Sequence, residues 1–264
     1  MAEFDRPTIA ARAGSAAVVD QGLRSYLLRV YNYMGVGLVV TGLVSYFAYA
    51  TATTTDQANA ATDGTGAILT IGHGILLTPF GAAIYTSPLA WLIMFAPLAF
   101  VLVLSFGINR MSTAAAQLAF WAFAAVMGLS LSTIFLTYTG TSIARTFFVS
   151  AATFGAMSLY GYTTKRDLTA FGSFLFMGLI GIILASVVNI FLHSSGLGFA
   201  ISILGVLIFV GLTAYDTQKI KLSYSASYGA DALAKGAIMG ALNLYLDFLN
   251  LFLMLLRLTG NQRN

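Results

Sequence analysis

The chain contains no cysteine, which excludes disulfide frameworks, thiolate metal sites and thiol catalysis. It has two histidines, His73 and His193, and neither belongs to a His-Glu-x-x-His pattern, so neither zinc hydrolysis nor serine–histidine catalysis has its residues here. No proline follows Pro97. Charge is equally scarce, at 8% of residues, too little to solvate the surface of a soluble protein of this length. The first 26 residues hold no apolar run of signal-peptide type, so no cleavable leader is expected and the first spanning helix also serves as the insertion signal.

What fills the chain is apolar: 58% of residues are hydrophobic and the mean hydropathy is +0.85. The composition is that of an all-α polytopic membrane protein. With roughly 20 apolar residues per crossing, 264 residues hold about seven helices with short loops and no sizeable soluble domain. Residues 1–26 read as a cytoplasmic tail and 27–264 as one seven-helix transmembrane domain. The spans are expected at Leu28–Ala50, Pro88–Asn109, Thr113–Thr137, Ile143–Tyr162, Phe171–Leu192, Phe199–Lys219 and Gly236–Thr259.

A further apolar stretch, Ala67–Ile84, carries three glycines, a proline and His73, and charge decides against counting it. With seven spans and a cytoplasmic N-terminus, the inside holds every Lys and Arg except Arg145, Arg257 and Arg263, in accord with the positive-inside rule. An eighth span would move Arg110, Lys165, Arg166, Lys219, Lys221 and Lys235 outside. Residues 51–87 are therefore expected outside, with an interfacial or re-entrant turn at Gly72–Gly81, and the C-terminus is expected outside too. The net charge of +4 follows from this sidedness and does not indicate nucleic acid. Gly172, Gly178 and Gly181 in the fifth span, and Gly236 and Gly240 in the seventh, are spaced for close helix packing. Pro97 removes one backbone hydrogen bond inside the second.

Two acids lie inside the spans, Asp216 and Asp247. A carboxylate near mid-membrane costs roughly 2.5–3.5 kcal/mol on insertion scales and is normally turned inward for ions, protons or catalysis. Asn243, Asp247 and Asn250 fall at i, i+4 and i+7 and share one face of the seventh helix, while Thr213 and Asp216 share a face of the sixth. One loop separates the two helices, so they are antiparallel neighbours. If their polar stripes face each other, the two carboxyls share one proton and form a pH-sensitive element; otherwise each acid is satisfied alone by hydroxyls, backbone or a basic residue at its helix end. Arg110, ending the second span, is either a partner for Asp216 or a headgroup anchor. The spans leave a mismatch in depth. Asp216 lies one turn from its helix end and Asp247 roughly 16 Å into its helix, so either the sixth helix runs further or the seventh begins later.

Several segments in order resemble the Bax inhibitor-1 family in a bacterial form. They are Tyr26-Leu-Leu-Arg-Val-Tyr-Asn-Tyr-Met-Gly, Gly128-Leu-Ser-Leu-Ser-Thr-Ile-Phe135, Ser158-Leu-Tyr-Gly-Tyr-Thr-Thr-Lys-Arg-Asp167, Thr213-Ala-Tyr-Asp-Thr-Gln-Lys219 and Leu244-Tyr-Leu-Asp-Phe-Leu-Asn-Leu-Phe-Leu253. The resemblance leaves out residues 1–24 and most of 51–87. It implies a seven-helix bundle around a central seventh helix in the bacterial inner membrane. It also implies a pH-sensitive calcium leak, with Asp216 and Asp247 as a di-aspartyl sensor and Arg110 as a latch on Asp216. Calcium would be cargo, with no resident cofactor. Some bacterial relatives add an acid in the second helix; here that helix reads Phe95-Ala-Pro-Leu-Ala-Phe100. Because Ca²⁺ prefers six to eight oxygens, two aspartates with Asn243, Asn250 and hydroxyls such as Thr213 would make only a transient site.

Two other classes were weighed. Paired aspartates on neighbouring spans resemble an intramembrane aspartyl protease, but such enzymes resemble one another in a Gly-x-Gly-Asp sequence and a later Pro-Ala-Leu element. Here Leu244-Tyr-Leu precedes the second acid and no late proline exists. The expectation is therefore not an enzyme. The alternative is an interaction protein: some bacterial relatives resemble regulators of a membrane-bound AAA protease, engaged through the N-terminal tail.

Overall fold

Six helices are long and apolar enough to cross a membrane in the computed structural model, which describes residues 6–72 and 74–263, with side chains from residue 21 onward. They are α1 (Arg6–Ala52, its apolar part Gln21–Ala52), α3 (Leu89–Gly107), α4 (Thr113–Leu131, continued by the short α5, Ile134–Thr137), α7 (Thr169–Leu192), α8 (Ser195–Ser223) and α9 (Ala230–Thr259). Hydroxyl side chains start several of the chain's helices by accepting a bond from a first-turn amide: Ser112 before α4, Ser194 before α8, and Thr139 before α6 (Gly140–Thr163). Of the expected tail, residues 1–5 lie outside the described residues and Arg6 onward continues into α1.

The expected fourth span is α6, 24 residues long but less apolar than the six. Its composition explains this. Ser142, Thr146, Ser150, Ser158 and Gly161 are buried, so small and hydroxyl groups face the bundle where the other helices carry leucine and phenylalanine. It runs the length of the bundle: the Ser142 hydroxyl accepts from the Asn261 amide at one end, and Lys221 Nζ donates to the Tyr162 carbonyl at the other. The start of the first span and the C-terminal Arg263 lie at opposite ends of α1. Gly22 and Tyr26, where the apolar part of α1 begins, lie against Tyr224 and Gly236, whereas Arg263 donates to the Tyr49 hydroxyl beside the end of α1.

The last helix, α9, occupies the centre, packing on α8, α1, α6 and α4, and it is the most buried of the six. Its Tyr245 is wholly enclosed, edge-on to Phe120 and Phe123, with its hydroxyl 2.6 Å from Thr41 Oγ1. Thr41 passes its own hydrogen on to the Ala124 carbonyl. By contrast α3 packs chiefly on α4, α7 chiefly on α8, and both leave Leu, Ile, Phe and Met exposed along their lengths, as a lipid-facing surface should.

Close approach is set by small residues, though not always the expected ones. A Cβ on Gly172 would strike the Tyr215 ring, while one on Gly181 would meet nothing, so Gly181 is no contact point. Among the long helices the tightest crossing onto backbone is at Gly161 of α6, where a Cβ would lie 2.2 Å from the Ala214 carbonyl oxygen of α8. Backbone cannot yield as a side chain can, so Gly161→Val should lower stability by about 1–3 kcal/mol. Unfolding in mixed detergent micelles reads that loss; an unchanged midpoint would contradict the packing described.

Among the described residues, 51–87 hold no helix long and apolar enough to cross a membrane, and Gly72–Gly81, where an interfacial or re-entrant turn is expected, contains a short strand and the start of a short helix. Three short strands, β1 (Thr53–Thr54), β2 (Thr70–Ile71) and β3 (Ile75–Leu77), pair antiparallel in the order β1-β3-β2. Helix α2 (Pro79–Tyr85) follows, with the Thr78 hydroxyl accepting from the Gly81 amide and Pro79 in the first turn. Gly74 takes a positive φ of 73° in the β2–β3 turn.

Outside the spans, hydrogen bonds from neighbouring hydroxyls and amides hold the exposed carboxyls of Asp63 and Asp167 below the ordinary carboxylate range. Whatever these acids contribute is present above that range and is lost only as pH falls below it. They stay charged from pH ~6 to ~8.

Candidate functional site

The register of α8 against α9, and not their ends, settles the relative depth of the two acids: α8 continues to Ser223, and α9 begins earlier than expected, at Ala230. Ile220 then faces Gly240 and Met254 faces Gly205. This register brings the Asp216 and Asp247 carboxyls close to one another across the α8–α9 interface. Asp247 is only 5% exposed and its Oδ2 has no hydrogen-bond partner among the described residues. Asp216 is half-buried.

Both acids line one cavity of about 1340 Å³, walled by α3, α4, α7, α8 and α9. Asn243, Leu246, Asp247, Asn250 and Met254 of α9 all face it, so the polar stripe is turned inward. Tyr245, nearly opposite Asp247 on the helix, fixes that rotation through Thr41. The remaining polar lining is sparse: Ser130, Ser173, Ser186, Tyr215 and Lys219. From α3 come only Met94, Pro97, Leu98 and Val101. Among the described residues no group of three His, Cys, Asp or Glu side chains converges. A divalent cation here would meet two carboxylates, with amide and hydroxyl oxygens supplying the rest.

Two expected site residues lie elsewhere. Thr213 is wholly buried, donates to its own helix at the Phe209 carbonyl (2.8 Å), and does not line the cavity. Arg110 is exposed in the turn after α3, and among the described residues it makes no ion pair. The cation that acts on Asp216 is instead Lys219, one turn further along α8, with its ammonium 5.8 Å from the centre of the Tyr215 ring. Its i+3 spacing from Asp216 was the available signal. Gln218 has a structural role away from the cavity. Buried on another face of α8, it accepts from the Leu168 amide (2.9 Å) and donates to the Arg166 carbonyl (2.8 Å), tying the α6–α7 loop to α8.

Residues 23–264 match the family described as inhibitor of apoptosis-promoting Bax1. The chain belongs to the Bax inhibitor-1 family. It is 48% identical over 245 residues to an uncharacterized protein of Rickettsia prowazekii, with 93% of each chain covered. It is 45% identical over 254 residues to inner membrane protein YbhL of Escherichia coli K12, covering 96% of this chain and 98% of that one. A Caulobacter vibrioides protein shares 44% identity over 246 residues, 93% of this chain and 92% of its own. With its apolar helices, this member of the Bax inhibitor-1 family is a multi-pass inner membrane protein.

Proposed function

We propose that the chain crosses the membrane seven times, N-terminus in the cytoplasm and C-terminus outside, and acts as a pH-sensitive calcium leak gated by protonation of the Asp216–Asp247 pair. Parity supports the seventh crossing by α6: six spans would return the start of the first span and Arg263 to one side, whereas Gly22 and Tyr26 lie at one end of α1 and Arg263 beside the other.

The observation that carries the leak reading is the acid pair itself, two neighbouring carboxyls in the wall of a large cavity, one with an orphaned oxygen among the described residues. Two adjacent carboxylates cannot both ionise cheaply, so one proton shared between them gives the pair two states. Deprotonation leaves two like charges close together and favours separation of α8 from α9, as well as offering oxygens to a cation. The other titratable groups facing the pair in this cavity are Lys219 and Tyr215; α3, α4 and α7 contribute none. The exposed Asp63 and Asp167, outside the spans, are already charged across the relevant range.

Calcium flux into liposomes, followed from pH 6 to 8 with empty liposomes as control, tests the reading; flux no greater than in empty liposomes would end it. Within that assay Lys219→Gln should shift the pH response and Arg110→Gln should leave it near wild type, because Lys219 is the cation beside Asp216. The reverse pattern would restore Arg110 as the latch. Regulation of a membrane protease through the N-terminal tail depends largely on residues whose side chains lie outside the described residues; truncating 1–20 separates it, since such a role would change protease turnover and leave flux intact.

A further inference from the structure

A second pocket, of about 580 Å³, lies between the outer faces of α1 and α4 and is separate from the acid-lined cavity. Its lining grades along α1 from Arg24 and Arg29, through Asn32, to Tyr33 and Val36, with Trp121 of α4 closing the apolar end. Arg24, Arg29, Asn32 and Val36 are exposed, on the face of α1 opposite the buried Tyr26, Val30 and Met34. Tyr33 and Trp121 hold each other at 5.9 Å between ring centres, so the wall at that end is preformed. The described lining carries two positive charges and no negative one.

We infer that this pocket is a binding site for one anionic phospholipid, whose phosphate sits between Arg24 and Arg29 and whose acyl chain lies over Val36 and Trp121. The order of groups matches such a lipid: a double cation at the start of the apolar part of α1, an amide at glycerol depth, then hydrocarbon and aromatic surface. From Arg24 to Val36 the helix rises about 18 Å, a headgroup and the upper part of a chain. Guanidinium groups are suited to phosphate because they can bond it in bidentate fashion, and basic pockets between membrane helices are where anionic headgroups dock. A soluble phosphate ester would be drawn by the same arginines, but would leave the apolar half of the pocket unused. The inference requires only that α1 and α4 lie in a bilayer and does not depend on the calcium reading.

The chain has two tryptophans, so Trp91→Phe leaves Trp121 as the sole reporter. Reconstituted in vesicles, its fluorescence should be quenched about ten-fold more effectively, per mole fraction, by brominated phosphatidylglycerol than by brominated phosphatidylcholine. Adding Arg24→Gln and Arg29→Gln should reduce that preference to below about two-fold while leaving quenching by the phosphatidylcholine unchanged, which also reports that the bundle is intact. Should that variant fail to incorporate, Arg29→Gln alone should give an intermediate preference. Equal quenching by both lipids in the parent, or a preference that survives loss of both arginines, overturns the site. Loss of the preference in millimolar soluble glycerol phosphate also overturns it, in favour of a phosphate ion site.

Discussion

Asp247→Asn and Asp216→Asn should each flatten the pH response of calcium flux, bringing the ratio of rates at pH 6 and pH 8 to about one. Asparagine keeps the size and hydrogen-bonding capacity of aspartate but cannot change charge, so it removes the switch while preserving the packing. Asp247 should show the larger effect, because it is enclosed with an orphaned oxygen whereas Asp216 is half-buried with Lys219 one turn away. The comparison requires equal incorporation of wild type and variants into liposomes. A variant that keeps the full pH response would remove its acid from the gate. His193, exposed at the far end of α7, provides the control: His193→Gln should leave the response intact.

Asp247→Leu should make the protein more stable while abolishing that response. A buried carboxyl close to a second acid is an expensive arrangement, and exchange of buried charged groups for apolar ones of similar volume is often stabilising, by about 1–4 kcal/mol. The neighbourhood suits leucine, since Leu244, Phe248 and Leu251 around it are fully or nearly fully buried. Asp216 would not be stranded, because it is half-buried and Lys219 is within reach of it. Denaturation of wild type and variant in the same mixed micelles should show a gain of about 1–3 kcal/mol. A loss of that size would mean that the pair is a structural brace, and its role as a switch would need another basis.

The features that were legible in the sequence share one cause, strong patterning by hydropathy. Six helices announce themselves because hydrocarbon admits little else, and the stripe Asn243–Asp247–Asn250 stands out against the leucines and phenylalanines around it. The register that brings Asp216 to Asp247 was not legible, since helix ends outside the apolar zone leave little trace in hydropathy, and the extension of α8 beyond Lys219 to Ser223 lies there. The strands between residues 53 and 77 are two or three residues long, too short for a period of two to show. Arg110 is a charge at a helix end, yet it lies exposed in the turn after α3 and makes no ion pair among the described residues. Lys219 was in view at i+3 from Asp216 and was read only as part of a basic helix end. Among glycines, spacing alone pointed to Gly181, which touches nothing, and passed over Gly161, which lets α6 meet the backbone of α8.

The most direct test of the account is infrared difference spectroscopy of the reconstituted protein during a pH titration, with calcium flux recorded on the same preparation. The account predicts a protonated-carboxyl band that is absent from Asp247→Asn and that titrates with the same midpoint as the flux. A wild type in which both carboxyls are already ionised throughout the range where flux changes would contradict it.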